Sequence, residues 1–281
     1  MATIAIFGAA GKMGTRISSK LKELKQYKLL CVEADKTMEA KLAERGLTAA
    51  SSEQAAKEAD VVILAVPDKF IGAVAGKIVP MVRAGTLIIG LDPAAPHNGK
   101  LPPRKDVSYF VVHPAHPPIF NDETDPEARK DYFGAKGARQ AIVCALMQGP
   151  ESDYARGEAI ATAMFGPILR SHRVTVAQMA MLEPALAETV AATCLSIIRE
   201  GLDEIVRRGV PAPAARDFIL GHMNVETAIL FGFLGKDVKF SDGCLRAIEE
   251  AKKDIFQSDW KKVFDNANLM TSIKKICGDI P

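Results

Sequence analysis

The sequence predicts an α/β chain in which a doubly wound parallel sheet over residues 1–172 precedes an all-helical domain over residues 173–281. Three observations carry this expectation. Short continuous apolar runs alternate with helical periodicity through the first part, as strands buried on both faces require. Glycines at positions 8, 11 and 14 join the first such run to the first helical pattern. From about Val176 onward only helical periodicity is found, so the change of character falls near residue 172.

In chain order, TIAIFG reads as a strand and residues 12–24 as a helix, then YKLLCVEAD as a strand and residues 38–45 as a helix. ADVVILAVP is a third strand, followed by a helix over about 69–82. GTLIIGLD and VSYFVVHP are further strands, and ARQAIVCALMQG is a sixth before a helix over about 151–165. In the helical part, PALAETVAATCLSII and ETAILFGFLG are apolar on nearly every face, which demands burial, whereas LRAIEEAKKDIF is amphipathic. Alanines crowd residues 185–192 and permit close helix approach. So apolar a region exceeds what the helical part covers alone, and a homodimer built through it is expected.

Composition narrows the function classes. A chain of 281 residues is long enough for two domains, and 48% hydrophobic with 25% charged residues excludes a disordered chain. A net charge of +2, without a basic stripe interleaved with aromatics, leaves no footprint for nucleic acid. The five cysteines lie far apart with no CxxC pair, which argues against a zinc ribbon or a disulfide frame. MATIAIFGAAG lacks the basic start of a signal peptide, and no unbroken apolar run calls for a membrane span. A cytoplasmic protein acting on a small molecule is the expectation.

IAIFGAAGKMG carries the first chemical signal. Gly8, Ala9, Ala10, Gly11, Lys12, Met13 and Gly14 link strand to helix, where backbone N–H groups can hold a dinucleotide pyrophosphate. Gly11 removes a side chain where the phosphates approach, and Gly14 lets helix and strand close. The GxxGxxG spacing also fits a plain glycine turn; its place between first strand and first helix is what points to a nucleotide. Glu33, ending the second strand, suits the adenosine ribose hydroxyls and repels a 2′-phosphate, so NAD is the expected cofactor, a preference that Lys36 nearby tempers. Asp68 and Asp92 close later strands at the edge where ligands gather. Asp68 is assigned to the nicotinamide side and Asp92 to capping the Pro93 turn.

FVVHPAHPPIF, residues 110–120, ends a strand on the same edge, and its prolines fix the backbone around His113 and His116. Two chemistries stay open for the pair: accepting the proton of a hydroxyl as it is oxidised, and binding a metal that polarises the reacting oxygen. A plain turn is the bland alternative. Glu188 is the only charged residue between Glu183 and Arg199, and a lone carboxylate in an apolar helix demands a partner, a proton or a metal. Glu183 precedes Pro184 and reads as a helix-terminus residue. His222 and Glu226, four apart on one helix face, suit metal binding or a buried hydrogen-bonded pair, packing at the dimer core being the favoured reading.

Together IAIFGAAGKMG, VEAD, AVPD, VVHPAHPPIFN and MLEPALAETVAATC resemble the phosphogluconate-dehydrogenase-like family of NAD-binding proteins over nearly the full length. The glycine motif is shared by many reductases; the HPxHPP turn with the later glutamate helix is more specific. The resemblance implies a Rossmann domain followed by a helical domain that often forms the dimer. In its nearest branch it implies an NAD-dependent oxidoisomerase, which oxidises a CH–OH group of a small branched or polyhydroxy carboxylic acid of the apionate type and couples this to a ketol rearrangement. The sequence departs from the hydroxyacid dehydrogenases, having neither their GGxxxG run nor the Lys-x-x-x-Asn helix of their catalytic lysine. His113, His116 and Glu188 then form the catalytic set, with His116 and Glu188 holding a divalent metal, zinc being expected, and His113 as proton acceptor or orienter. Two other readings stay open: a metal-free dehydrogenase of the 3-hydroxyacid or phosphogluconate type using His113, and a non-catalytic NAD-binding dimeric regulatory module.

Overall fold

In the computed structural model, which describes residues 1–281, seven strands share one sheet. They are β1 (Ala2–Phe7), β2 (Tyr27–Val32), β3 (Val61–Leu64), β4 (Leu87–Gly90), β5 (Ser108–Pro114), β6 (Gln140–Gln148) and β7 (Ile168–Arg173), in the spatial order β2-β1-β3-β4-β5-β6-β7. The first five pair in parallel. A single parallel bridge, Cys31 to Ala49, adds a vestige of a further strand outside β2. Strand order reverses between β1 and β3, and doubly wound sheets open a ligand crevice at that point, outside the carboxyl ends of the strands.

Helices α1 (Lys12–Leu21), α2 (Lys36–Ala43), α3 (Ser52–Glu58), α4 (Asp68–Ile78) and the single turn α5 (Ala94–His97) separate the parallel strands. Asp35 caps α2 by accepting from Thr37 N–H, so this helix starts two residues before the expected 38. The sequence reading passes over α3, a short polar helix that buries only Ala55 and Ala56 and is started by the Ser51 cap.

The expected parallel order holds through β5. β6 runs antiparallel to β5, because residues 115–139 contain only the one-turn helix α6 (Pro126–Arg129) and no crossover helix to return the chain. β7 then pairs parallel with β6 across α7 (Ser152–Phe165). It is an edge strand whose polar sequence ILRSHR hides it from a search for apolar runs.

Phe110 and Val112 of β5 pack with Ile142 and Cys144 of β6, Ile17 and Leu21 of α1, and Met164 and Phe165 of α7 in one apolar layer. A second cluster joins Val111 and Ala145 to Met179. Met179 lies in α8 (Val176–Ala180), which Thr175 and Gln178 start with a reciprocal capping box. Because α8 is tied to the sheet in this way, the compact units part between Pro184 and Ala185 rather than near residue 172. Residues 269–281, including most of α12 (Asn266–Ile276), return to the first unit and bury Leu269 and Ile273.

The second unit, residues 185–268, contains α9 (Ala192–Arg207), α10 (Ala212–Leu230) and α11 (Asp242–Ile255). The break expected at Pro184 does not occur. The chain instead widens into π-helical turns over Met181–Ala191, which accommodate a residue without an N–H. Val176–Arg207 is thereby one helical run of 32 residues, long and apolar enough to cross a membrane, though Glu188 interrupts its apolar character; only 11% of its most apolar window is buried.

Phe110 is fully buried between the sheet and α7, so Phe110→Ala is expected to cost about 3–5 kcal/mol of stability. Urea unfolding measures this, and a loss below about 1 kcal/mol would contradict the packing described.

Candidate active site

The chain leaves β1 through Gly8, whose φ is +85°, and whose N–H donates to Val32 O at 2.9 Å. A Cβ at Gly8 would lie 2.5 Å from Ala65 O, and one at Gly14 would lie 2.0 Å from Gly8 O. Backbone therefore approaches backbone at both positions, as the sequence reading requires of Gly14. Gly11 is the N-cap of α1 and no side chain caps this helix, so its first-turn N–H groups are left for an anion. Glu33 Oε1 accepts from Ala10 N–H, which brings the acid of β2 onto the glycine turn itself. Arg45, which no motif singles out, clasps the turn to α1 through Ala9 O (3.4 Å), Thr15 Oγ1 (3.2 Å) and Ser18 Oγ (2.6 Å). These residues fit a dinucleotide.

A cavity of about 370 Å³ at the carboxyl edge runs from Gly11 and Met13, past Ala65 and Asp68, to Asp92, His113 and His116. The glycine turn and both expected histidines thus line one space.

Two of its lining residues, Asp92 and His113, converge with Glu183, the donor atoms of the three lying within 4.8 Å of one another. His113 Nδ1 is 2.9 Å from Leu91 O. A carbonyl only accepts, so Nδ1 carries a proton. Nε2 faces Glu183 Oε2 at 3.5 Å, while Asp92 Oδ2 is 3.7 Å from Nδ1. The other oxygen of Asp92 accepts from Ala94 N–H at 2.8 Å, so this acid caps its turn as expected and also turns an oxygen to the cluster. Burial pushes the Glu183 carboxyl above its usual range, with His113 opposing and the charge of Asp92 adding to the rise. Burial, reinforced by Asp92, pushes Asp68 up to about 6, against the hydrogen bond it accepts from Ala95 N–H. No lysine or arginine forms an ion pair with any of these three acids. Two carboxyl groups and an imidazole converging with no basic side chain between them form a donor set that fits a divalent metal.

His116 holds φ at +61° and sets its Nδ1 3.3 Å from Phe133 O. Its ring stands edge-on to His113 at 6.3 Å and to Phe133 at 5.8 Å between centroids. Burial lowers its pKa, which keeps the ring neutral near pH 7.

The three-donor cluster consists of His113 with Asp92, read from the sequence as a turn cap, and Glu183, read as a helix-terminus residue; it does not include His116 or Glu188. Glu188 lies in the π-helical stretch and belongs to the second unit. His222 bonds through Nδ1 to Phe218 O at 2.9 Å and stacks on the Phe218 ring at 3.9 Å, so its ring is engaged with Phe218 and not with Glu226. A signal for the missed acids is present in the sequence. Asp92, His113 and Glu183 each precede a proline, which restricts the backbone of the residue before it.

Residues 121–277 match the family described as phosphogluconate dehydrogenase (decarboxylating) C-term, and residues 3–94 match the family described as NADP oxidoreductase coenzyme F420-dependent. A D-apionate oxidoisomerase of Cupriavidus necator is 52% identical over 97% of this chain and 98% of its own length. A D-apionate oxidoisomerase of Blautia hydrogenotrophica is 38% identical over 95% of this chain and 93% of its own. Among solved structures, a semialdehyde dehydrogenase NAD-binding protein from Cupriavidus necator, in complex with calcium and NAD, superposes with a TM-score of 0.95 at 52% identity, covering 98% of this chain and 99% of that one. An NADH-preferring ketol-acid reductoisomerase from an uncultured archaeon shares the fold, with a TM-score of 0.72 at 19% identity over 99% of this chain and 84% of that one.

Because folding raises the Asp68 pKa to about 6, the folded protein keeps this proton at a pH where the unfolded chain has lost it. The stability tied to that proton is complete below about pH 4 and is lost as the pH rises through about 6. In metal-stripped protein, Asp68→Asn is therefore expected to gain about 1–3 kcal/mol on the parent chain between about pH 4 and pH 7. Urea unfolding of both proteins at the two pH values measures the gain; an equal difference at both would refute the shift.

Proposed function

Because the chain belongs to the phosphogluconate-dehydrogenase-like NAD-binding family, we propose that it is a D-apionate oxidoisomerase, oxidising a CH–OH group of a small branched sugar acid with NAD and rearranging the ketol that results. One observation supports this reading beyond family membership: the nucleotide turn shares a single cavity with Asp92 and His113, whose donor atoms converge with that of Glu183. When bound, NAD would supply the hydride acceptor and a divalent cation would supply a Lewis acid.

The chain's own residues do the rest. The turn of residues 8–14 seats the pyrophosphate, Glu33 orients the adenosine ribose, and Asp68 lies on the nicotinamide side. Asp92, His113 and Glu183 would hold the cation, with the Leu91 carbonyl fixing the imidazole so that Nε2 points inward. His116, neutral and bonded through Nδ1 to Phe133 O, offers Nε2 to the hydroxyl proton that must leave as the alcohol becomes a carbonyl. Ile71, Leu101 and Pro114 line the cavity with apolar surface and exclude water. An imidazole beside two carboxylates suits zinc, the ion expected from the sequence, and also admits oxygen-seeking ions such as calcium.

The second unit supports a homodimer. Its only buried hydrophobic residues are Ala185, Ala215 and Ala228, and no residue of α9 is buried. Ile198, Ile205 and Phe218 line an apolar hollow of about 610 Å³ between α9 and α10. A unit of this size needs its apolar faces covered, and a second copy supplies the same faces in a closed, symmetric arrangement. All five cysteines are free, which fits the reducing cytoplasm.

NADH formation from D-apionate, lost on chelation and restored by metal, is the direct test; a metal-loaded protein that forms none removes the reading. His113→Ala and Glu183→Gln are expected to lower kcat by about 100-fold or more and to abolish metal retention, read by elemental analysis. Light scattering should give twice the chain mass at micromolar concentration, and Phe218→Asp should halve it. A parent chain that is monomeric, or that partitions onto lipid vesicles, would sink the second-copy reading.

A further inference from the structure

His116 sits in a left-handed backbone conformation that a side chain adopts only when its surroundings hold it. What holds it lies in the segment between β5 and β6. Asp131 is buried, and its carboxylate accepts four main-chain N–H bonds: Oδ1 from Ala135 at 2.9 Å, and Oδ2 from Lys136 at 2.6 Å, Gly137 at 2.9 Å and Ala138 at 3.2 Å. The corner wound in this way carries two consecutive carbonyls with different partners. Phe133 O meets His116 Nδ1, and the Phe133 ring meets the His116 ring edge-on. Gly134 O accepts from Arg16 Nη2 at 3.2 Å and from Gln140 Nε2 at 3.3 Å. Arg16 is a buried residue of α1, just beyond the glycine turn, with its guanidinium 5.0 Å from the centre of the Phe165 ring. Adjacent peptide groups thus connect the helix that seats the cofactor to the imidazole at the other end of the cavity.

We propose that Arg16 and Asp131 are positioning residues for the oxidation step. Asp131 winds the corner of residues 131–138, and Arg16 fastens that corner to the cofactor helix, so that the His116 ring is held over the nicotinamide end of the cavity. Neither side chain lines the cavity, so neither is a catalytic residue. The Phe133 carbonyl also claims the Nδ1 proton, and so keeps Nε2 as the accepting atom. The inference rests on His116 acting as the proton acceptor, and the test separates the two.

Arg16→Met keeps an unbranched apolar stem and removes the guanidinium that bonds Gly134 O and lies over Phe165; Asp131→Asn removes acceptor capacity from the corner. Each is expected to lower kcat for D-apionate by ~10- to ~100-fold, while KM for the substrate and Kd for NAD change by less than ~2-fold. Arg16→Lys should restore part of the loss. In a His116→Ala background, the same substitutions should lower kcat no further, because their effect passes through that ring. Equal losses in both backgrounds, or unchanged kcat in the parent background, would overturn the positioning role. If His116→Ala alone leaves kcat intact, the proton-acceptor reading fails and this inference falls with it. Should Asp131→Asn not fold, the Arg16→Met and Arg16→Lys pair decides the matter by the same comparison.

Discussion

The proton on His113 Nδ1 governs the carboxyl edge of the sheet. Leu91 O accepts it, which fixes the ring so that Nε2 faces the carboxyl of Glu183. Nε2 and Glu183 Oε2 stand 3.5 Å apart in a partly buried space, where a shared proton or a cation holds the two together, and Asp92 adds a second acid to the cluster. The arrangement persists because each group is fixed independently: His113 by strand β5 and its carbonyl partner, Asp92 by the turn it caps, and Glu183 by a helix that continues through a proline. Three converging donor groups are thereby built into the backbone, an arrangement that a cation could occupy without rearrangement of the chain.

The π-helical turns over Met181–Ala191 connect this chemistry to folding. An α-helix interrupted at Pro184 would leave Glu183 at a frayed end, free to turn into solvent. Widening the turns keeps the helix continuous and puts Glu183 at a defined place in it, tied to the sheet through α8 and the burial of Met179. The same continuous run leads into α9, where apolar side chains outnumber the surfaces that cover them. One stretch of chain therefore places Glu183 at its start and exposes apolar side chains in its later part, the first through helix geometry and the second through sequence composition.

The cofactor half was the more legible. Its strands announce themselves as apolar runs, and the glycines at 8 and 14 are required because backbone lies where a Cβ would be. That requirement is local and leaves a mark in the sequence. The Asp92–His113–Glu183 cluster was less legible for an equally physical reason. His113 was found because it shares its turn with His116, but Asp92 and Glu183 each perform an ordinary local task, one capping a turn and one preceding a proline, and those tasks explain them without a site. Glu188 drew attention as an isolated charge in an apolar helix, a criterion that measures sequence contrast rather than position.

The amino-acid sequence by itself determined the order of elements, the class of cofactor and the strand end on which the histidines lie, because each follows from periodicity or from contacts a few residues long. Tertiary structure decided the rest. It reversed β6 and β7, kept α8 with the sheet, turned Asp92 and Glu183 toward His113, and set Arg16 of α1 against a corner more than a hundred residues away. Those outcomes depend on which layers meet when the sheet closes, and donors from three distant segments converge only after the fold has fixed each of their backbones.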